Sequence, residues 1–179
     1  MAGKLRPFAS RKEGATAIEF ALLTPVLLTF FLGIYEVGDR LRVDNVLARV
    51  ALQTADLVAQ EQDVTTAELN DIREAARLSL RLTDAQTALL TMEIASIGFD
   101  DTTGVASVRW RNSSGQLGAL DPSVANGLGG RGESVIWTRV TYQYTSPISF
   151  FITGAVTMAE SAFARPRLAR RISLNGGSL

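Results

Sequence analysis

The 179-residue chain contains neither cysteine nor histidine. These absences exclude disulfides, thiol nucleophiles and imidazole bases, and they remove the usual ligands of zinc and copper sites. An enzyme would then have to use carboxylates, Tyr, Ser/Thr or Lys. The two carboxylates that fall in predicted strands, Glu93 and Glu160, lack a spacing that identifies an acid/base pair. We therefore expect a protein without enzymatic activity, cofactor or metal.

Charge is balanced, with 18 basic and 18 acidic residues, but its distribution is uneven. The first fourteen residues form a basic leader with a net charge of +3, which leaves −3 for the rest of the chain. The charged residues of this leader are Lys4, Arg6, Arg11, Lys12 and Glu13. Binding to nucleic acid would require a basic surface on the main body of the protein, so we expect no nucleic-acid partner.

Residues 15–35 form an apolar run in which Glu19 is the only charged residue. As a helix they would span about 30 Å, the thickness of the hydrocarbon core of a bilayer. A buried helix of a soluble protein is disfavoured because apolar residues occupy every face, and a cleaved signal peptide is disfavoured because no A-x-A site follows. We predict a membrane helix with its N-terminus in the cytoplasm, the side favoured by the basic leader.

Pro25 lies in the middle of this run. It removes the backbone hydrogen bond that would reach the carbonyl of Ala21, so we expect a modest helix kink. A membrane tolerates such a kink where a neighbouring helix or a hydroxyl, such as that of Thr24, satisfies the carbonyl.

The start of the run has a recognisable pattern. A basic leader is followed by Gly14, four small or apolar residues, Glu19 and Phe20, and then by the membrane run. This arrangement resembles the G-x-x-x-x-E-[YF] prepilin motif of the Flp/Tad (tight adherence) branch of type IV pili. The chain is similar to the TadE/TadF minor pilins, or pseudopilins, because the major Flp pilin is far shorter. The segment 156–167 also resembles the strand and arginine that close TadE-like chains, and the lack of a cysteine pair leaves the TadE and TadF types open.

The resemblance implies roles for the residues of the motif. A prepilin peptidase would cleave after Gly14 and make Ala15 the new N-terminus, and Glu19, followed by Phe20, would pair with the N-terminal amine of a neighbouring subunit during assembly. Such a partner fits the physics, since an ionised carboxylate inside a bilayer costs about 2.5–3.5 kcal/mol. The alternative is a simple anchor in which Glu19 lies at headgroup level and interacts with the helix dipole.

Beyond residue 35 the pattern predicts an α+β fold. Apolar residues at steps of three and four continue the first helix to about Gln60, and Thr65 with Glu68 forms a capping box for a second helix that ends near Thr83. Alternating residues then predict strands around 90–95, 108–111, 136–144 and 155–163, with a hairpin turn at 100–104. These elements favour a mainly antiparallel, pilin-like sheet with the helices on one face.

We therefore expect three parts in the chain. These are a basic leader peptide at 1–14, a transmembrane helix at 15–35, and a periplasmic α+β domain at 36–179 with a flexible basic C-terminal tail.

Three further patterns have two interpretations each. Asp100-Asp101 lacks the spacing of a calcium loop and is better explained as a turn, and the glycine-rich segment 126–132 lacks the Lys-Ser/Thr of a phosphate loop and is better explained as a flexible loop. A basic cluster near the C-terminus is either part of a solvated tail or a docking patch for an acidic partner subunit or anionic lipid. Its members are Arg165, Arg167, Arg170 and Arg171.

Together these patterns favour a minor pilin or pseudopilin that helps to assemble a Tad-type pilus, for adhesion or secretion, by non-covalent packing of subunits. The expected partners are a prepilin peptidase, other Tad pilus subunits, the inner-membrane assembly platform and membrane lipid. The expected location is the bacterial inner membrane, with the C-terminal domain in the periplasm or incorporated in the pilus. The alternatives are a single-pass, membrane-anchored periplasmic binding or structural protein unrelated to pili, and a membrane-tethered hydrolase.

Overall fold

A computed structural model of the protein describes residues 11–80, 84–116 and 118–177. A helical N-terminal half precedes a strand-rich C-terminal half, which confirms the predicted α+β class. The elements are α1 (Arg11–Val58), β1 (Asp63–Val64), α2 (Thr66–Ser79), α3 (Asp84–Thr87), β2 (Leu90–Phe99), β3 (Ala106–Ser113), β4 (Ser134–Thr145), β5 (Ala155–Ala164) and β6 (Ser173–Leu174), with a short 3-10 helix at Pro122–Ala125. Residues 1–10 of the predicted leader lie outside the described residues.

The chain divides into two compact units. The first, the helix–loop unit, contains α1 up to Arg40 and the loop at residues 145–154, which connects β4 with β5. The second, the sheet unit, contains α1 from Leu41 onward and the remaining described elements. The sequence predicts a boundary at residue 35 and places the 145–154 loop in the domain, whereas the structure groups this loop with the N-terminal helix.

Within the sheet unit, α1 buries one face. The buried residues recur at steps of three and four, as the apolar pattern predicts, and the charged residues between them stay at least partly exposed. These buried residues are Leu47, Val50, Ala51, Thr54, Ala55 and Val58. The spacing therefore sets both the length of the helix and the face that it presents to the core.

A capping box begins α2. The Thr65 hydroxyl accepts a hydrogen bond from the N–H of Glu68 at 3.2 Å, and Glu68 Oε2 accepts one from the N–H of Thr65 at 2.8 Å. Two backbone N–H groups at the helix start are thereby satisfied by side-chain acceptors, which confirms the predicted capping box. Leu69 is fully buried, and it orients α2 towards the core of the sheet unit.

The four-stranded sheet has the order β3-β2-β4-β5, which the sequence alone does not predict. Strand β2 is antiparallel to both β3 and β4, so that Ile94 lies opposite Asn112 on one side and Thr138 on the other. The hairpin between β2 and β3 closes where the N–H of Asp100 donates to the carbonyl of Val105 at 3.0 Å. Strand β2 is one of the two central strands, and eight of its ten residues are buried.

Both faces of the sheet are covered. On one face Met92, Ile94, Ile136 and Val140 pack with the buried residues of α1 and α2. On the other face a second cluster is covered by the connection between β3 and β4; it contains Ala95, Ile97, Phe99, Val135 and Trp137, with Ala125 from the 3-10 helix. The sequence predicts helices on one face of the sheet, and the structure has them there. The other face is covered by the largely irregular connection between β3 and β4, which the sequence does not predict.

The glycine-rich segment 126–132 is part of this second layer. A Cβ atom on Gly129 would lie 2.3 Å from Cε2 of Phe99, whose side chain is buried. Gly132 has φ of +75°, a conformation that favours glycine, and a Cβ there would lie 2.4 Å from Asp101 Oδ1. Close approach of the backbone therefore explains these glycines, and the segment predicted as a flexible loop packs against the sheet.

The C-terminal segment is paired as well. Strand β6 runs parallel to β1, with Asp63 opposite Ser173 and Val64 opposite Leu174. Hydrogen bonds from the Ser173 hydroxyl and from the N–H of Gly176 lower the pKa of Asp63. A flexible tail was predicted from the basic, glycine-containing composition, whereas the structure anchors this segment through long-range pairing that composition does not reveal.

Candidate functional site

The front part of α1 is the most exposed apolar surface of the described chain. From residue 18 to residue 34 its large apolar side chains, apart from the less exposed Leu32, are about half to three quarters exposed, including Phe20 at 67%, Phe30 at 66% and Ile34 at 71%. Within the described residues, one helix, α1, is long and apolar enough to cross a membrane, and its candidate span begins at Ala15. Exposure of apolar side chains on this scale to water is unfavourable, and an exposed apolar patch of this kind is typical of a surface that contacts a membrane or another protein.

The motif residues lie in the first turns of α1. The backbone of Gly14 is helical, and Ala15, Glu19 and Phe20 are exposed along the following turns. Glu19 lies five positions after Gly14 in the helix, which corresponds to about 7.5 Å along the axis. The structure thus presents Glu19 on an accessible helix surface.

The helix continues through Pro25 without interruption. The hydroxyl of Thr24 donates to the carbonyl of Phe20 at 2.7 Å, and the hydroxyl of Thr29 donates to the carbonyl of Pro25 at 2.8 Å. The sequence predicts that Thr24 compensates the carbonyl of Ala21, and the structure places its bond one residue earlier. The kink at Pro25 stays a prediction.

A second carboxylate, Glu36, lies directly after the apolar run and is fully buried in the helix–loop unit. It accepts four hydrogen bonds from the 145–154 loop. The Ser146 hydroxyl and the N–H of Phe150 donate to Oε1 at 2.6 and 2.7 Å, and the N–H groups of Phe151 and Ile152 donate to Oε2 at 2.7 and 3.1 Å. Glu36 therefore attaches the loop to α1.

The backbone of the loop is shaped to bind this carboxylate. Ser149 has φ of 53°, and the N–H groups of the three residues after it converge on Glu36. Successive N–H groups after a left-handed residue form a concave anion site, called a nest. Burial acts to raise the pKa of Glu36, but the hydrogen bonds from Ser146, Phe151, Ile152 and Phe150 outweigh it and lower the pKa from 4.5 to about 2. Glu36 is consequently ionised at neutral pH.

Sequence reasoning missed the role of Glu36, because its partners lie more than a hundred residues away in the chain. One signal was present. No charged residue occurs between Arg139 and Glu160, so a long uncharged segment leads into and out of the loop.

The predicted basic cluster is spread over several intramolecular contacts in the sheet unit. Arg167 forms an ion pair with Asp56, and its N–H donates to the carbonyl of Ala59 at 2.9 Å. Arg171 pairs with Asp101 at 2.5 Å. A further contact joins Arg170 to the carbonyl of Arg131 at 3.0 Å, and Arg165 is exposed. Three of the four arginines therefore help to attach the C-terminal segment.

The two carboxylates in the strands also have structural surroundings. Glu93 is buried and paired with Arg111, which also donates to the carbonyl of Gly118 at 2.7 Å. Burial, together with the nearby carboxylate of Asp44, raises the pKa of Glu160. Among the described residues there is no group of three or more Asp or Glu side chains arranged to hold a metal ion.

Asp100 acts as a turn residue. Its Oδ1 accepts hydrogen bonds from the N–H groups of Thr102 and Thr103 at 3.0 and 2.7 Å, and from the Thr103 hydroxyl at 2.9 Å. These bonds lower its pKa, with the backbone bond from Thr103 as the largest cause. The arrangement explains the Asp100-Asp101 pair without a calcium ion.

Most of α1 matches a known protein family. Residues 14–56 match the model of the TadE-like protein family, so the match begins at Gly14 and ends two residues before the end of α1. The resemblance predicted from the sequence is thereby confirmed, over about a quarter of the chain. No curated protein and no solved structure matches the chain, so the sheet unit beyond α1 is interpreted from its own residues.

Proposed function

We propose that this chain, which carries a TadE-like segment, is a minor pilin or pseudopilin of a Tad-type pilus. It would be anchored in the bacterial inner membrane by residues 15–35 and would join other Tad subunits through the exposed front of α1. The observation that carries the proposal is the coincidence of the family match with this exposed apolar helix, in which Gly14 and Glu19 hold the positions of the prepilin motif.

Physical chemistry supports a role beyond simple anchoring. A carboxylate on an apolar membrane helix requires a partner when it enters the hydrocarbon region. Cleavage after Gly14 would create an amine at Ala15, and the same amine on a neighbouring subunit would provide the opposite charge for Glu19. The protein would then act by packing of helices and would itself be the substrate of a prepilin peptidase.

Processing is tested by mass spectrometry of the full chain recovered from membranes of cells that contain the peptidase. The expected mature form begins at Ala15, and Gly14→Ala is expected to abolish it. Gly38→Ala is a matched control, because a Cβ at Gly38 meets no atom within 4 Å. Persistence of the intact chain in these cells contradicts processing and favours an ordinary single-pass anchor.

Assembly is tested separately with Glu19→Gln. Removal of the charge is expected to leave processing and membrane insertion intact and to reduce pilus formation. Glu61→Gln, at an exposed position beyond α1, is the control and is expected to assemble normally. Normal piliation of the Glu19→Gln strain would show that the carboxylate has no pairing role.

A further inference from the structure

The 145–154 loop exposes a compact set of apolar side chains. Ile148 is 40% exposed, Phe150 48% and Phe151 57%. The two phenyl rings form an edge-to-face pair with centroids 4.8 Å apart. The loop itself contains no charged residue, since none lies between Arg139 and Glu160, and the one carboxylate that it binds, Glu36, is already buried within the fold.

The loop is held at the level of the predicted membrane span. A Cβ placed on Gly33 would lie 3.0 Å from Cε2 of Phe151, so the phenyl ring lies against the helix backbone there. Gly33 falls within the apolar run 15–35, three residues before Glu36. The absence of a side chain at Gly33 thus allows an aromatic ring to lie beside the last turn of the run.

Four consecutive N–H groups of the loop also find partners within the protein. The N–H of Ser149 donates to the Ser146 hydroxyl at 3.1 Å, and the next three N–H groups donate to Glu36. Pro147 has no N–H to satisfy. Irregular backbone is tolerated at membrane depth only where its polar groups find partners within the protein, and four consecutive donors here meet that condition.

We propose that the 145–154 loop is a second membrane-contacting element, which inserts the side chains of Ile148, Phe150 and Phe151 among lipid acyl chains beside α1. The proposal rests on the membrane anchoring by residues 15–35 proposed above. We favour lipid as the partner of these side chains because the loop contacts the apolar run at Gly33, so its exposed apolar surface continues that of the run. Glu36 is the positioning residue that keeps the loop in this place.

The absence of cysteine permits a direct test on the full chain with single-cysteine variants. Phe150→Cys reports on the loop, with Ile148→Cys as a second loop probe in case Phe150 is needed for folding. Phe30→Cys reports on the span, and Thr102→Cys in the polar hairpin turn is the water reference. Each variant is labelled with an environment-sensitive fluorophore and reconstituted into phosphatidylcholine vesicles, with or without lipid that carries a nitroxide quencher near the top of the acyl chain.

The loop probes and the Phe30 probe are expected to lose most of their emission to the lipid quencher, whereas the Thr102 probe responds to aqueous iodide instead. Addition of Glu36→Gln to Phe150→Cys is expected to reduce lipid quenching at the loop and to leave it unchanged at Phe30. If the loop probes behave like Thr102 while Phe30 is quenched, the loop proposal is wrong and the anchor stands. If Phe30 itself is not quenched, the proposed anchoring fails. Protection of the loop probes only in the presence of pilus subunits would assign the surface to protein and overturn lipid insertion.

Discussion

Glu93 is one of the two strand carboxylates that could be considered as a catalytic acid or base. Its ion pair with Arg111 predicts a structural role instead, in which the pair stabilises the fold. The Glu93 side chain is 7% exposed and that of Arg111 is 21% exposed. The guanidinium Nε donates to Oε1 at 2.8 Å. Arg111→Met keeps most of the side-chain volume and leaves the carboxylate buried without its positive partner. Removal of one member of a buried pair lowers the free energy of unfolding by about 3–5 kcal/mol. Because Arg111 is partly exposed, we expect a loss at the lower end, about 3 kcal/mol.

Thermal unfolding of the full chain in detergent, followed by near-ultraviolet circular dichroism, measures this loss. Both tryptophans, Trp110 and Trp137, lie in the strands of the sheet unit and report on its packing. In a chain of this size each kcal/mol lowers Tm by about 2–4 °C, so we expect Arg111→Met to lower Tm by roughly 6–12 °C. The double variant with Glu93→Met removes both charges and is expected to recover most of the loss.

An exposed pair provides the control. Arg167 and Asp56 are 61% and 40% exposed, so Asp56→Asn is expected to change the free energy of unfolding by less than about 1 kcal/mol. The reasoning is refuted if Arg111→Met leaves Tm at the wild-type value, or if the double variant is as unstable as the single one. Either result would mean that the Glu93 carboxylate does not depend on its partner, and a functional role for it would have to be considered again.

Three further outcomes are expected. Thr65→Ala removes the side-chain half of the capping box and should lower stability by about 1 kcal/mol, whereas Thr65→Ser should retain it; equal Tm values for the two would contradict the cap. The pKa of Glu36 is depressed, so its contribution is complete above 4.5 and is lost as the pH falls towards about 2. The protection of the loop amides 150–152 against hydrogen exchange, measured relative to the intrinsic exchange rate at each pH, should therefore fall over that interval in wild type and be low throughout in Glu36→Gln. Burial and the charge of Asp44 raise the pKa of Glu160, so Glu160→Gln should raise Tm at neutral pH and lose this advantage below pH 4.5; a lower Tm at pH 7 would contradict it.

Local signals in the sequence account for most of the secondary structure. The steps of three and four in α1, the Thr65–Glu68 capping box and the alternation of the strands each depend on neighbours within a few residues. The order of the strands and the pairing of β6 with β1 depend on contacts across about 110 residues, for which local periodicity contains no information. Composition also misleads at residues 126–132, since the glycines that suggest flexibility permit close packing on Phe99.

Two carboxylates, Glu19 within the apolar run and Glu36 directly after it, show that sequence patterns reveal local features but not long-range contacts. Glu19 could be interpreted from sequence because its motif is local: a glycine five residues before it and an apolar run after it. Glu36 could not, because what defines its role is the folded loop, whose N–H groups satisfy it inside the same chain.

This difference also bears on function. Glu36 is buried and saturated with donors from its own chain, whereas Glu19 is exposed on the surface of a helix that has no polar surroundings in a membrane. Glu36 therefore has a structural role, since it holds the loop of its own chain. An exposed carboxylate on a membrane helix needs a partner from outside the chain, which supports the proposal that Glu19 acts between subunits.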